Sequence, residues 1–411
     1  DLSMGKSHVI PCLFIAGFIL IAILLLIMFP SPPDFLSHRH TPPSVSLLYA
    51  SGGSMAQLLN TGQIDAFLIW EPVVSNAELS GIGKRIAVPS DLPPPGKWEN
   101  AAINILVLRR DAIKTHPDLA ALLSALTTAA INRTNEDKAL AENITANWVY
   151  GKGPILTPQG TLDPLTVEQR SFENMEFTAD AAPPEASIVQ YTIDSMTGGT
   201  GSYDPMIWVD SGVTTRAASF LNGTAFPTID PAIPTLNIGY IPSSDNYAPV
   251  YVMVKDAQYF CDKYGFCIVP DDPALSRPVS CTLLVNGSMA ARINLIMGQS
   301  GGGIMTTIGQ NALEGAYVGS VPAELQIALG NPTLIIQSIN TGGSGLVVPA
   351  DSSLQNWNDF VRWAQHRSTV GRPLVIATVQ SSIQEEMIRE ACAYENITVI
   401  LYGTDFTTGT S

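Results

Sequence analysis

Four short apolar strands in this chain each end in a Gly/Ser-rich turn that opens a helix. The turns are Ser51-Gly-Gly-Ser54, Ser243-Ser-Asp245, Gly319-Ser320 and Gln380-Ser-Ser382. A helix N-terminus presents unsatisfied N–H groups and a partial positive charge, which suits small anionic or polar ligands. In open α/β sheets such turns gather at the carboxyl ends of the strands, where ligands bind. For one turn, N-capping accounts for the serines, and Ser382-Ile-Gln-Glu385 has the spacing of a capping box. Four such turns in one chain point further, to a ligand site. None of the four contains Arg or Lys, which argues against a tight clamp on a strong anion. The ligand expected is small, organic, and polar or weakly anionic.

Other chemistry has thinner support. Gly298-Gln-Ser-Gly-Gly302 matches the Gly-x-Ser-x-Gly nucleophile elbow, with Asp351, Asp359 and His366 following in a permissible order for a serine hydrolase. In a chain with 33 Gly that pattern reads more simply as a loop before a helix. His8, His38 and His40 flank an apolar segment, while His116 and His366 fall on expected helices. Cys-x-x-Cys ligand spacing, a P-loop and a Rossmann fingerprint are absent from the sequence. No catalytic residue, metal or cofactor is assigned.

The elements that must position the turns alternate between strand and helix. Strands are expected at 47–50, 64–70, 103–108, 236–241, 266–269, 315–319, 334–339, 346–348 and 374–378. Helices are expected at 55–60, 117–131, 136–149, from 246 to Phe260, from 320 to near Gly330, at 359–366 and at 382–394. This order predicts open, mostly parallel sheets. Residues 197–234 are rich in Gly, Ser, Thr and Pro and read as a linker with some local structure.

Val9 to Phe29 is 21 residues without a charge, about 31 Å as a helix and enough to cross a bilayer core. With Lys6 before it and no small-x-small cleavage site after it, it reads as a retained single-pass anchor. Pro30 to Pro43 then forms an extended spacer. With 21 basic against 36 acidic residues the formal charge is −15, and no basic run exists to bind nucleic acid. Five Asn-x-Ser/Thr sequons, at Asn132, Asn143, Asn222, Asn286 and Asn396, fit an exported body. Cys261, Cys267 and Cys281 lie close in sequence, and in an oxidising compartment Cys261–Cys267 or Cys267–Cys281 would bridge.

Leu236-Asn-Ile-Gly-Tyr-Ile-Pro-Ser-Ser-Asp245 resembles the first strand and ligand loop of ABC-transporter substrate-binding proteins of the nitrate/sulfonate/taurine type. Gly315 to Glu324 looks like that family's next strand-loop-helix. Gly342 to Val348 and Ala377 to Gln384 look like its segments leading into the second lobe. Asn60-Thr-Gly-Gln-Ile-Asp-Ala-Phe-Leu-Ile-Trp-Glu-Pro72 is similar to the second-lobe signature G-x-I-D-A-x-x-x-W-E-P. The order is exchanged, since the segment like the family's second half comes first here. A circular permutation, truncated tandem copies or a misassembled gene each account for it. The opening at Asp1 ahead of Met4 and the Thr407-Thr-Gly-Thr-Ser411 ending carry the expectation of a fragment.

The resemblance implies an α/β, two-lobed periplasmic-binding-protein-like fold of type II, preceded by one transmembrane helix. Residues 1–44 would be anchor and spacer, 45–196 the C-terminal-half segment, 197–234 the linker, and 235–411 the N-terminal-half segment. It implies a ligand held by Ser243, Ser244, Asp245, Asn246, Gly319, Ser320 and Gly343 from one lobe. Gln380, Ser381, Ser382, Trp70 and Glu71 would face them from the other. The implied partners are a small molecule and ABC permease subunits, with the body outside the cell membrane. Alternatives are a membrane-anchored sensory or surface-binding module without transport, and a pyrimidine synthase of the same fold.

Overall fold

The computed structural model describes residues 42–180 and 208–403. The expected anchor at 9–29 and the start of the expected linker lie outside the described residues. Among the described residues no helix is long and apolar enough to cross a membrane.

The first stretch contains β1 (Ser44–Tyr49), α1 (Gly52–Asn60), β2 (Ala66–Trp70), α2 (Val73–Leu79), β3 (Gly83–Ala87) and β4 (Asn104–Arg109). It continues through α3 (Arg110–Thr115), α4 (Pro117–Glu136), α5 (Lys138–Tyr150), the hairpin β5 (Ile155–Thr157) and β6 (Gly160–Leu162), α6 (Pro164–Phe172) and β7 (Met175–Phe177). Then follow α7 (Ser211–Leu221), β8 (Thr235–Tyr240), α8 (Ala248–Lys255), α9 (Ala257–Tyr264), β9 (Phe266–Pro270), β10 (Ser280–Val285) and β11 (Ser288–Met297). The last elements are α10 (Gly301–Gly309), β12 (Gly315–Gly319), α11 (Ser320–Ala328), β13 (Thr333–Gly342), β14 (Ser344–Pro349), α12 (Trp357–Thr369), β15 (Leu374–Thr378), α13 (Ile383–Tyr394) and β16 (Thr398–Leu401).

Local signals account for many of the boundaries. Pro117 sits at the first position of α4, where a missing N–H costs nothing, and Arg133 lies in its last turn. Asp137 and Asp163 cap α5 and α6 by accepting the N–H groups of Leu140 and Thr166, both at 3.1 Å. The helix expected to run to Phe260 instead breaks at Asp256, whose carboxylate is held by Arg133 Nε at 2.8 Å.

Two sheets carry the fold. One has strand order β16-β1-β15-β2-β14-β3 and the other β7-β13-β4-β12-β8-β11-β10-β9. In the first sheet the first described strand meets the last two: β1 runs parallel to β15 with Val45 beside Leu374, and parallel to β16 with Ser44 beside Thr398. β15 also pairs in parallel with β2. Ala66 to Ile69 are fully buried, as a central strand covered on both faces requires.

The expectation of mostly parallel sheets fails for the second sheet. β11 and β12 flank β8 in parallel, but every other pairing in that sheet is antiparallel. A hairpin turning at Asn286-Gly287 builds β10 and β11, and Asn286 (φ 49°) and Gly287 (φ 77°) adopt the left-handed conformation it needs. The chain passes from the second sheet to the first at Gly342-Gly343, between β13 and β14. Both glycines have positive φ, 71° and 67°. The mixed α/β architecture is compatible with the two-lobed plan expected from the resemblance.

Part of the expected linker is structured. α7 packs against α4, and Val209 bridges to Ile335 of β13. Of the two disulfide alternatives, Cys261–Cys267 forms, while Cys281 is buried and free.

Candidate functional site

The two sheets enclose a narrow cleft with a cavity volume of about 40 Å³. The first sheet contributes Trp70 from the end of β2, the turn Val379 to Ser382, and Ile383 and Gln384 from the first turn of α13. The second contributes Asn104 at the start of β4, Ser244, Asn246 and Tyr247 after β8, Gly301 and Gly302 opening α10, and Gly319 and Pro322 around the start of α11. Ile103 and Ile241 complete it. No Asp, Glu, Lys, Arg or His is among the lining residues.

Each wall is held from behind. The Tyr251 hydroxyl donates to the carbonyls of Ser244 (2.8 Å) and Ile241 (3.3 Å), and its ring stacks on Trp148 with centroids 4.6 Å apart. On the opposite wall Glu385 Oε2 accepts the Ser381 N–H at 2.6 Å, fixing a residue with φ 56°. Glu385 Oε1 accepts from Arg389 Nε (2.8 Å) and from the Tyr49 hydroxyl (2.6 Å). Burial, together with the neighbouring carboxylate, pushes the Tyr49 hydroxyl up to about 12. Asn104 Nδ2 donates to Asn340 Oδ1 at 3.1 Å, and Gln384 Nε2 to Ser344 Oγ at 2.9 Å.

Three helix N-termini open on the cleft, those of α10, α11 and α13. α10 approaches so closely that a Cβ on Gly301 would stand 2.5 Å from Pro322 Cγ. Only glycine leaves the backbone of α10 this near the start of α11. The cleft therefore combines amide and hydroxyl groups, backbone N–H dipoles, one indole and an apolar floor. Such a surface favours a small ligand with hydrogen-bonding atoms and little or no net charge.

Of the twelve residues singled out in sequence, Trp70, Ser244, Asn246, Gly319, Gln380, Ser381 and Ser382 come together on the cleft. Five do not line it. Ser243 is exposed outside it, Ser320 is fully buried at the first position of α11, and Gly343 lies in the crossing between the sheets. Glu71 and Asp245 are buried behind the wall. The turn Ser51 to Ser54 is not part of the lining either.

Glu71 is engaged elsewhere. Its Oε2 accepts the Ser75 N–H at 2.9 Å, and its Oε1 stands 2.9 Å from Arg85 Nη2. Arg85 in turn holds Glu78, which also binds Arg170. Burial raises the Glu71 carboxyl above its usual range, outweighing the pull of Arg85. Asp245 faces Glu168 of α6; burial, with the nearby Glu71 carboxylate, pushes it up to about 8, against the pull of its contacts with Glu168 and the Ser171 hydroxyl.

Asn104, Gln384, Gly301, Gly302, Tyr247 and the apolar floor were not singled out in sequence. The glycines had a signal, since Gly301 and Gly302 follow Ser300 in the loop-then-helix reading of the Gly298–Gly302 motif. Asn104 is one polar residue in an apolar run, a weaker mark. Ser300 itself caps α10, accepting the Gly303 N–H at 3.2 Å. Ser382 caps α13 through the Glu385 N–H at 3.2 Å, but the reciprocal bond from Glu385 goes to Ser381. Among the described residues no group of His, Cys, Asp and Glu is arranged to hold a metal ion.

The comparisons bear on one part of the chain. A model of the NMT1-like family matches residues 42–149. The match takes in β2 and Trp70, and it supports solute binding as the general role. An uncharacterized protein of Methanocaldococcus jannaschii, MJ1180, is 26% identical over 110 residues, covering 26% of this chain and 72% of that protein. No solved structure matches.

Proposed function

We propose that this protein is a solute-binding protein that captures a small, polar or weakly anionic organic molecule between its two sheets. The observation that carries this reading is the cleft itself, with Trp70, Gln380 and Ser381 opposite Ser244, Asn246 and Gly319, and with no charged side chain in its lining. The match to the NMT1-like family over residues 42–149 supports it. The binding residues proposed are those six together with Ser382, Asn104, Gly302 and Gln384. The capping role of Ser300 supports binding rather than serine hydrolysis.

The same proposal gives the protein an ABC permease as partner, to which a ligand-closed form would dock. It places the body outside the cell membrane, anchored through residues 9–29. The Cys261–Cys267 disulfide supports an oxidising compartment, as does the exposure of the asparagine in all five sequons. The pairing of β1 with β15 and β16 supports reading 45–196 and 235–411 as halves of one domain in exchanged order.

Thermal-shift screening of the described domain against neutral polar organics, organic monoanions and inorganic oxyanions tests the ligand class. Stabilisation by members of the first two classes is expected, and it should be lost in Trp70→Ala. Stabilisation by inorganic oxyanions alone would sink the proposal.

A further inference from the structure

Asp245 and Glu168 form an acid pair directly behind the cleft wall. Both are fully buried. None of their four carboxyl oxygens has a partner in strict hydrogen-bonding geometry, yet the 245–247 turn packs on α6, which carries Glu168, and Asp245 interacts with both Glu168 and the Ser171 hydroxyl. Neither takes part in a salt bridge among the described residues. The groups around them offer no cation. Glu71 faces them from the end of β2, the Ser171 hydroxyl from α6, and Tyr150 and Tyr251 from α5 and α8, while Glu142 of α5 lies near Glu168. β13, which also packs on the turn 245–247, contributes no ionisable side chain. Arg85, the nearby cation, is taken up by Glu71 and Glu78.

Ionisation of both carboxylates is strongly disfavoured in such a place, because they would lie buried against each other and against Glu71, with no cation and only the Ser171 hydroxyl in reach as a donor. A proton on one lets it donate to the other and satisfies both. The position of the pair gives that proton leverage. Asp245 lies between Ser244 and Asn246, two lining residues, and its N–H donates to the Glu71 carbonyl at 3.3 Å. That bond ties the loop after β8 to the end of β2, one residue beyond Trp70.

We propose that Asp245 and Glu168 share one proton at the junction of the two sheets, and that this proton holds the 243–246 loop where Ser244 and Asn246 face the cleft. Asp245 and Glu168 are thus positioning residues, and ligand capture is linked to proton retention. The link to capture rests on the cleft being the ligand site. The shared proton itself does not.

The test compares wild type with the double variant Asp245→Asn/Glu168→Gln, an amide pair that cannot release a proton. Infrared difference spectra are recorded between about pH 6 and about pH 9, either side of the value of about 8. Wild type should lose protonated-carboxyl C=O intensity that the variant never shows. Over the same range, hydrogen exchange of the peptide 241–247 should accelerate beyond the chemical rate in wild type only. Identical infrared differences in the two proteins, or loop exchange that tracks the chemical rate in both, would overturn the proposal. Asp245→Asn alone serves as the second variant if the double variant does not fold. Neither readout uses a ligand, so failure here is distinct from failure to find a cleft ligand.

Discussion

Gly343 and Asn246 meet at the crossing between the two sheets, so closely that a Cβ on Gly343 would stand 2.2 Å from Asn246 Oδ1. Gly343 also holds φ at 67°, a region that costs an L side chain about 1–2 kcal/mol. Strain and clash therefore add in Gly343→Ala, which should destabilise the protein by at least about 2 kcal/mol. Urea unfolding at neutral pH would measure this. Asn246→Ala in the same background should return only the Asn246 share, because the same Cβ also stands 2.7 Å from Met175 Cγ and the backbone part remains. Equal losses in the single and double variants would show that Asn246 is not the obstacle.

Arg85 and Glu71 form a buried ion pair, with side chains 6% and 0% exposed. Removing one partner strands the other. Arg85→Met should cost about 3–5 kcal/mol at pH 7. Arg85→Met/Glu71→Gln should recover most of it, because a neutral amide still accepts the Ser75 N–H and Glu78 keeps Arg170 as its cation. Chemical denaturation of the two variants decides the point, and a double variant no more stable than the single one would contradict it.

These two relationships mark the boundary of what the sequence made legible. Ser244, Gly319 and Ser382 could be found because a strand, a turn and a helix leave a local pattern, and their strands end on the same cleft. Asp245 sits in the same turn as Ser244, and Glu71 directly follows Trp70 at the end of β2, so both look like site residues locally. What removes them from the cleft is tertiary: Arg85 on another strand and Glu168 on α6, at sequence separations no motif encodes. The antiparallel pairings around β4 and β13 were missed for a similar reason, since strand direction within a sheet is set by the crossovers and not by hydrophobic period. Asn104 was hidden because its role depends on Asn340, which becomes its neighbour only when β4 and β13 pair.

Glu324 on α11 is fully buried, and neither carboxyl oxygen has a hydrogen-bond partner. Burial alone raises its carboxyl well above the usual range. The sign follows from linkage. A raised carboxyl binds its proton more tightly when folded, so its contribution to stability is fully present below the unfolded value and is lost as pH rises towards the folded one. Glu324→Gln, which needs no proton, should match wild type near pH 4 and become progressively more stable than it towards pH 7. The gap should widen by up to about 1.4 kcal/mol per pH unit. Thermal or urea midpoints across that range would show it, and a constant offset between the proteins would refute the burial account.

Gly302 separates the cleft from the fold as no other lining residue does. A Cβ there meets nothing within 4 Å, and the residue lies in the first turn of α10 facing the cleft. A leucine at this position is a better helix former than glycine and its Cβ meets no protein atom within 4 Å, so Gly302→Leu should hold stability within about 1 kcal/mol of wild type or improve it. Its side chain would occupy space that the proposed ligand needs. Calorimetric unfolding of the free variant should therefore resemble wild type, while any compound that stabilises wild type through this cleft should no longer shift the variant. A ligand that stabilises both proteins equally binds somewhere else, and the assignment of the cleft would fall with that result.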